Sequence, residues 1–152
     1  MIRIIAFFFI SVGLLGCDPS QREAQHLTER IAGEWQIDQI IFTDLLTQED
    51  SVVQAPIGKF FFQKCKIKDY PSGCPGYYEV NGQERVHIGV GTYYNQLFFN
   101  ILTTGAQPVG KLNFVSRYDI LTLTDRDLVI ARLVYINGGT KSYDLTLQLK
   151  RN

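Results

Sequence analysis

From Gly33 onward, apolar side chains recur at every second position in short runs, and turn-forming residues separate the runs. A period of two places alternate side chains on opposite faces of a strand. Trp35, Ile37 and Ile41 alternate in this way with Glu34, Gln36 and Asp38. A Phe-rich run over 58–67 follows, and 77–80 leads into Asn81-Gly82, the strongest short hairpin signal. Residues 85–90 return as its partner. Further runs cover 96–102, 111–123 (with a bend near Arg117), 128–136 and 143–150. In the last, Leu145, Leu147 and Leu149 face inward and Thr146, Gln148 and Lys150 outward. Residues 124–127 read as a tight turn, Asn137-Gly138-Gly139 as the final hairpin, and 43–56 as a long polar loop. This makes about eight strands with hairpin-length connections. Parallel pairing needs long crossovers, so the expectation is an antiparallel up-and-down meander. Closing it into an all-β barrel removes the exposed edges, and an open sandwich is the alternative. Only 20–31 reads as a short helix: Ser20 and Glu23 form a capping-box pattern, and Leu27 and Ile31 share a face.

The N-terminus has a different grammar. Arg3 supplies a positive charge, residues 4–15 are apolar except Ser11, and Leu14-Leu15-Gly16-Cys17 closes the run. A membrane-spanning helix needs roughly 20 apolar residues, and Asp18-Pro19 stops this run short of that. The segment resembles a bacterial lipoprotein signal with its lipobox. That resemblance implies acylation of Cys17, a membrane partner through the N-terminal lipid, and a location in the bacterial cell envelope. An ordinary cleaved secretory signal or a short anchor helix is the plainer alternative. The expected organisation is a signal over 1–16, a tether and short helix over 17–30, with 18–25 as polar tether, and a barrel over 31–152.

Charge and cysteine content narrow the partners. The formal charge of the whole chain is zero, and losing Arg3 with the signal leaves the rest near −1. Nucleic-acid binding depends on clustered positive charge, so no such partner is expected. Lys64, Lys66 and Lys68 alternate along one run, a pattern that usually marks a solvated face or protected edge. Of the three cysteines, Cys65 and Cys74 are left as an even pair once Cys17 is acylated. In an oxidising compartment they are expected to bridge across Pro71-Ser72-Gly73. A metal site using both with His87 is the alternative, and no metal or other cofactor is expected.

Several residues together resemble a known family. Ile31-Ala32-Gly33-Glu34-Trp35 resembles the G-x-W signature that opens the first strand of lipocalins. Ile120-Leu121-Thr122-Leu123-Thr124, followed by Leu128-Val129-Ile130, resembles the strand–turn–strand pattern of bacterial lipocalin-like lipoproteins. The resemblance implies a lipocalin-like barrel with Gly33 and Trp35 at its closed end and residues 43–56 as a lid. It also implies a basic residue packed over Trp35, for which Arg151, Lys150 and Arg132 are candidates. The cysteine pair departs from the usual lipocalin bridge.

No catalytic constellation stands out. Of the two histidines, His26 is expected near the tether and exposed, and His87 partly buried in a strand. No nucleophile elbow, zincin motif or phosphate loop is present. Binding is therefore the expected role. An eight-stranded barrel is just wide enough to be filled by side chains or to hold one small ligand. Phe61, Tyr78, Tyr93 and Phe99 are candidate lining residues for a small apolar or amphipathic ligand. If the rings are core instead, a filled barrel that binds an envelope protein is the alternative: an assembly factor, or an inhibitor of a wall-degrading enzyme.

Overall fold

A computed structural model describes residues 19–81, 84–101, 114–136 and 141–151. Helix α1 (Pro19–Ile31) is followed by β1 (Gly33–Asp44), β2 (Asp50–Phe62), β3 (Cys74–Val80) and β4 (Val86–Tyr93). Then come β5 (Gln96–Ile101), β6 (Arg117–Leu123), β7 (Asp127–Ile136) and β8 (Lys141–Lys150). Every strand pairs antiparallel with the next, and β1 pairs with β8, so the eight strands close into a barrel. The closing register sets Ile37 opposite Leu149 and Ile40 opposite Leu147. The all-β barrel with a short N-terminal helix is therefore as the alternation predicts, and the sandwich is excluded.

The strand expected over 58–67 ends at Phe62 and the next begins at Cys74 rather than residue 77, and two further segments differ from expectation. Residues 43–56 are not a loop: β1 and β2 run into them and meet around a short turn, with Thr43 opposite Asp50 and Ile41 opposite Val52. This end of the hairpin stands clear of the core, so Val52 and Val53 are both half-exposed and no inside–outside alternation marks the strand. The Asp44 carboxylate shapes the turn by accepting the Leu46 and Thr47 amides at 2.8 and 3.2 Å. The second difference is α1, which begins at Pro19, so Ser20 lies inside the first turn rather than ahead of it. Proline suits that end, where its missing N–H would have no helical acceptor. The expected polar tether over 18–25 is thus helical from Pro19 onward.

Helix α1 lies across one end of the barrel, here called the base. It buries Ala24, Leu27, Thr28 and Ile31. Thr92 of β4 donates its hydroxyl to the Ala24 carbonyl at 2.9 Å. Gln25 donates to the Cys65 carbonyl at 2.9 Å and accepts the Ile67 amide at 3.0 Å. Arg30 reaches the Leu123 carbonyl at 2.8 Å. Cys65 and Cys74 are joined as a disulfide with Cα atoms 5.8 Å apart, which fixes the connection from β2 to β3. Further along β2, a Cβ on Gly58 would stand 2.0 Å from the Glu79 carbonyl oxygen, so only glycine lets β2 approach β3 there. One buried cluster runs from Leu27 to Leu149 along the barrel interior.

Candidate functional site: the barrel interior

The base is built from residues distant in sequence. Gly33 has φ +122°, a conformation that side chains rarely tolerate. A Cβ there would meet only Arg151, at 3.7 Å, so backbone conformation rather than crowding calls for glycine. The turn brings Trp35 directly under the helix. Its indole is fully buried and donates Nε1–H to the Ile31 carbonyl at 2.7 Å. The Arg151 guanidinium lies 4.1 Å from the indole ring centre. Its Nη2 donates to the Ala32 and Arg30 carbonyls at 2.9 and 3.2 Å, at the C-terminal end of α1 where a cation is favoured. Of the three candidates, Arg151 is the residue over Trp35. Lys150 points outward to pair with Asp38 at 2.8 Å, and Arg132 lies elsewhere.

Above this floor the barrel is filled with rings. Phe60 lies 5.4 Å from Phe99 and 5.3 Å from Phe114, and Phe114 lies 5.1 Å from Tyr78. Phe99 in turn lies 5.2 Å from Tyr118. These are contact distances for aromatic pairs. Two of the four candidate lining residues, Tyr78 and Phe99, face inward, and both are packed into this cluster. The other two do not face the interior. Trp35 pairs with Phe60 and both turn inward, so the intervening Phe61 turns out and stacks on Tyr77 at 5.3 Å. Ile88 and Val90 take the inward positions of β4, so Tyr93 turns outward at the base, 53 % exposed, with its ring edge-on to Tyr94.

Toward the far end, here called the mouth, the interior becomes polar. The hydroxyls of Tyr78 and Tyr118 are sealed from solvent; among the described residues that of Tyr118 makes no hydrogen bond, and that of Tyr78 has only the Phe114 backbone N–H beside it. Arg132 follows Leu128 and Ile130 on the inward face of β7, and its guanidinium lies 5.2 Å from the centre of the Tyr118 ring. Burial pushes both phenols above their ordinary pKa, most strongly Tyr118, while the Arg132 charge acts in the opposite direction on each. The Phe114 backbone also favours ionisation of Tyr78, more weakly than burial opposes it. Phe42, Val86 and Val134 are partly buried against this region.

The histidines stand apart. His26 is exposed on α1. His87, expected partly buried, is exposed because it alternates with the buried Ile88; its ring meets Tyr77 edge-on at 6.3 Å outside the barrel. Among the described residues no three His, Cys, Asp or Glu side chains converge as a metal site would require. With Cys65 and Cys74 bonded to each other, the alternative site with His87 has lost its ligands. Cys17 lies outside the described residues.

Arg132, a candidate for the place over Trp35, lies instead beside Tyr118, a second interior polar residue that no motif marks. The run Leu128, Ile130, Arg132, Val134 keeps strict parity, so the inward position of Arg132 was there to be read. Taken together, fold and site define a closed β-barrel with a plugged base, an aromatic centre and buried polar groups toward the mouth. No protein-family model matches the chain, and neither a curated protein nor a solved structure matches it.

Proposed function

We propose that this chain is a lipid-anchored envelope protein whose barrel receives the polar end of a small amphipathic molecule on its mouth side. The observation that carries the reading is the pair of buried hydroxyls, Tyr78 and Tyr118, beside Arg132 in an otherwise apolar interior. A buried polar group without a partner costs about 1–3 kcal/mol, so such groups call for an explanation. An anionic acceptor such as a carboxylate would take hydrogen bonds from both phenols, with the guanidinium close by. The filled lower barrel leaves the ligand's apolar part to the region of Phe42, Val86 and Val134. The lipobox and the G-x-W opening support the anchor and a lipocalin-like lineage.

Mass spectrometry of the protein extracted from its own envelope tests both halves of this reading. The expected results are acyl groups on Cys17 and a co-purifying amphipathic anion that Tyr118→Phe and Arg132→Gln both deplete. An unmodified Cys17 together with a Cys17→Ala variant that fractionates unchanged would reject the anchor. A barrel that retains no ligand and binds no fatty-acid probe would reject the binding role. The packed ring cluster favours a second reading, a filled barrel that acts by binding an envelope protein, and in-envelope crosslinking that returns one specific partner would support it.

A further inference from the structure

Arg22 of α1 shares a groove with Lys66 and Lys68 of the β2–β3 connection, and Lys64 stands just before them; all four are exposed. The bonds from Gln25 to Cys65 and Ile67, together with the disulfide, hold this connection against the helix. The cations therefore project from a fixed frame rather than a loose loop. Glu29 also lines the groove, and Glu23 and Asp69 are the other carboxylates of this region. On the opposite flank of α1, Tyr94 borders a recess with His26, Leu27 and Arg30. Tyr93 and Tyr94 there are 53 % and 56 % exposed. The mouth has the reverse character: Asp50, Glu49, Glu84 and Asp144 are exposed there beside Asp44, against Arg85 and Lys141.

The position of the helix gives this asymmetry a direction. Only two steps of chain separate Cys17 from Pro19, and each spans at most about 3.6 Å. A lipid on Cys17 would therefore hold the base within a Debye length of the bilayer, about 8 Å at physiological salt. At that range each Lys or Arg is attracted to anionic headgroups, and tyrosine rings settle at the membrane–water boundary.

Resting on the lipid-anchor reading, we infer that the base of the barrel is a docking surface for an anionic lipid bilayer. Arg22, Lys64, Lys66 and Lys68 meet the headgroups, Tyr93 and Tyr94 enter the interface, and the acidic mouth faces away from the membrane. The barrel stands on the bilayer in one orientation.

The test supplies the tether chemically, so it does not depend on natural acylation. Among the described residues the core cluster runs from Leu27 to Leu149, so the chain from residue 17 keeps all of it, and a cooperative unfolding curve checks its fold before use. In the chain from residue 17, Cys17 is the one thiol outside the disulfide, and it is coupled to a maleimide lipid. Vesicles of phosphatidylcholine, with or without phosphatidylglycerol, carry the protein while a water-soluble reagent acetylates its lysines. Lys64, Lys66 and Lys68 should react about threefold or more slowly on the anionic vesicles, with Lys141 equal on both, and about 0.5 M salt should erase the difference. Tyr93→Ala/Tyr94→Ala should weaken the protection, and Lys66→Glu/Lys68→Glu should remove it at Lys64. Equal reactivity on the two vesicles at low salt would overturn the inference. Protection by soluble polyglutamate but not by anionic vesicles would overturn it in favour of an acidic protein partner. A Cys17 found unacylated in the cell would remove the anchor reading without altering either result.

Discussion

At the base, Ile31 and Trp35 are fully buried, the indole N–H and the Arg151 Nη2 find carbonyl partners, and only Arg151 Nε is buried without one. Toward the mouth, Phe42, Val86 and Val134 are only partly covered, and the Tyr118 hydroxyl is buried without a partner among the described residues. The same meander builds both ends, so strand order does not account for the contrast. Among the described residues the difference lies in what covers each end: helix α1 with its hydrogen bonds below, and the half-covered Phe42, Val86 and Val134 above.

Substitutions at the two ends should respond unequally. Trp35→Ala should have the largest effect, about 3–5 kcal/mol in denaturant unfolding, against about 1 kcal/mol for Val134→Ala near the mouth. Comparable losses would break the contrast. Removing the disulfide with Cys65→Ser/Cys74→Ser should cost about 2.5 kcal/mol, since the bridge closes a short loop. Arg151→Ala should cost about 2 kcal/mol, combining the lost cation–ring contact with uncapped helix carbonyls, and is checked by the same unfolding curves. Tyr118→Phe should move the other way, raising the stability of ligand-free protein by about 1 kcal/mol because an unpaired buried hydroxyl disappears. A drop would mean that the hydroxyl is already satisfied.

Titration separates the ends as well. The folded-state pKa values of Tyr78 and Tyr118 are raised above the ordinary 10.0, so their contribution is complete below that pH. It is lost as pH climbs past 10.0 toward the folded values. Tyrosinate absorbance should therefore show two phenols that ionise only as the barrel opens, and Tyr118→Phe should shift that alkaline transition upward. Asp44 gives the smallest effect and the opposite sign. The Leu46 and Thr47 amides lower its pKa below 3.8, so the turn it shapes is held above that value and loosens as pH falls through the folded pKa. Faster amide exchange at Leu46 and Thr47 in acid is the measurement.

The alternation of apolar residues made the strands from 86 to 150 legible, along with the closure they imply, because each buries one face and wets the other. The hairpin tip over 43–56 was not legible, because neither of its faces is buried and its alternation carries no signal. The start of β3 was hidden for another reason: Pro75, which rarely enters a strand, holds a ladder position opposite Gly89. At the site, parity correctly separated Phe60 and Phe62 from Phe61 but did not say which set faced inward. That choice is fixed by Trp35 opposite Phe60, a pairing between strands that only the folded chain supplies. Arg132 was legible as a candidate interior cation, but strand parity alone did not say that it lies beside Tyr118 rather than over Trp35.

The pairing of β1 with β8 also sets the order of assembly. The residues that seal the cylinder follow every other strand in the chain, and Arg151, which clasps the end of α1, comes after them. A chain with its first and last strands joined must find its most distant contacts before it is complete, and such topologies fold slowly. Until Lys150 emerges, β1 has only one neighbour and the indole of Trp35 lacks its cover. The cylinder therefore stays open until β8 has emerged, whatever the earlier strands have already paired with.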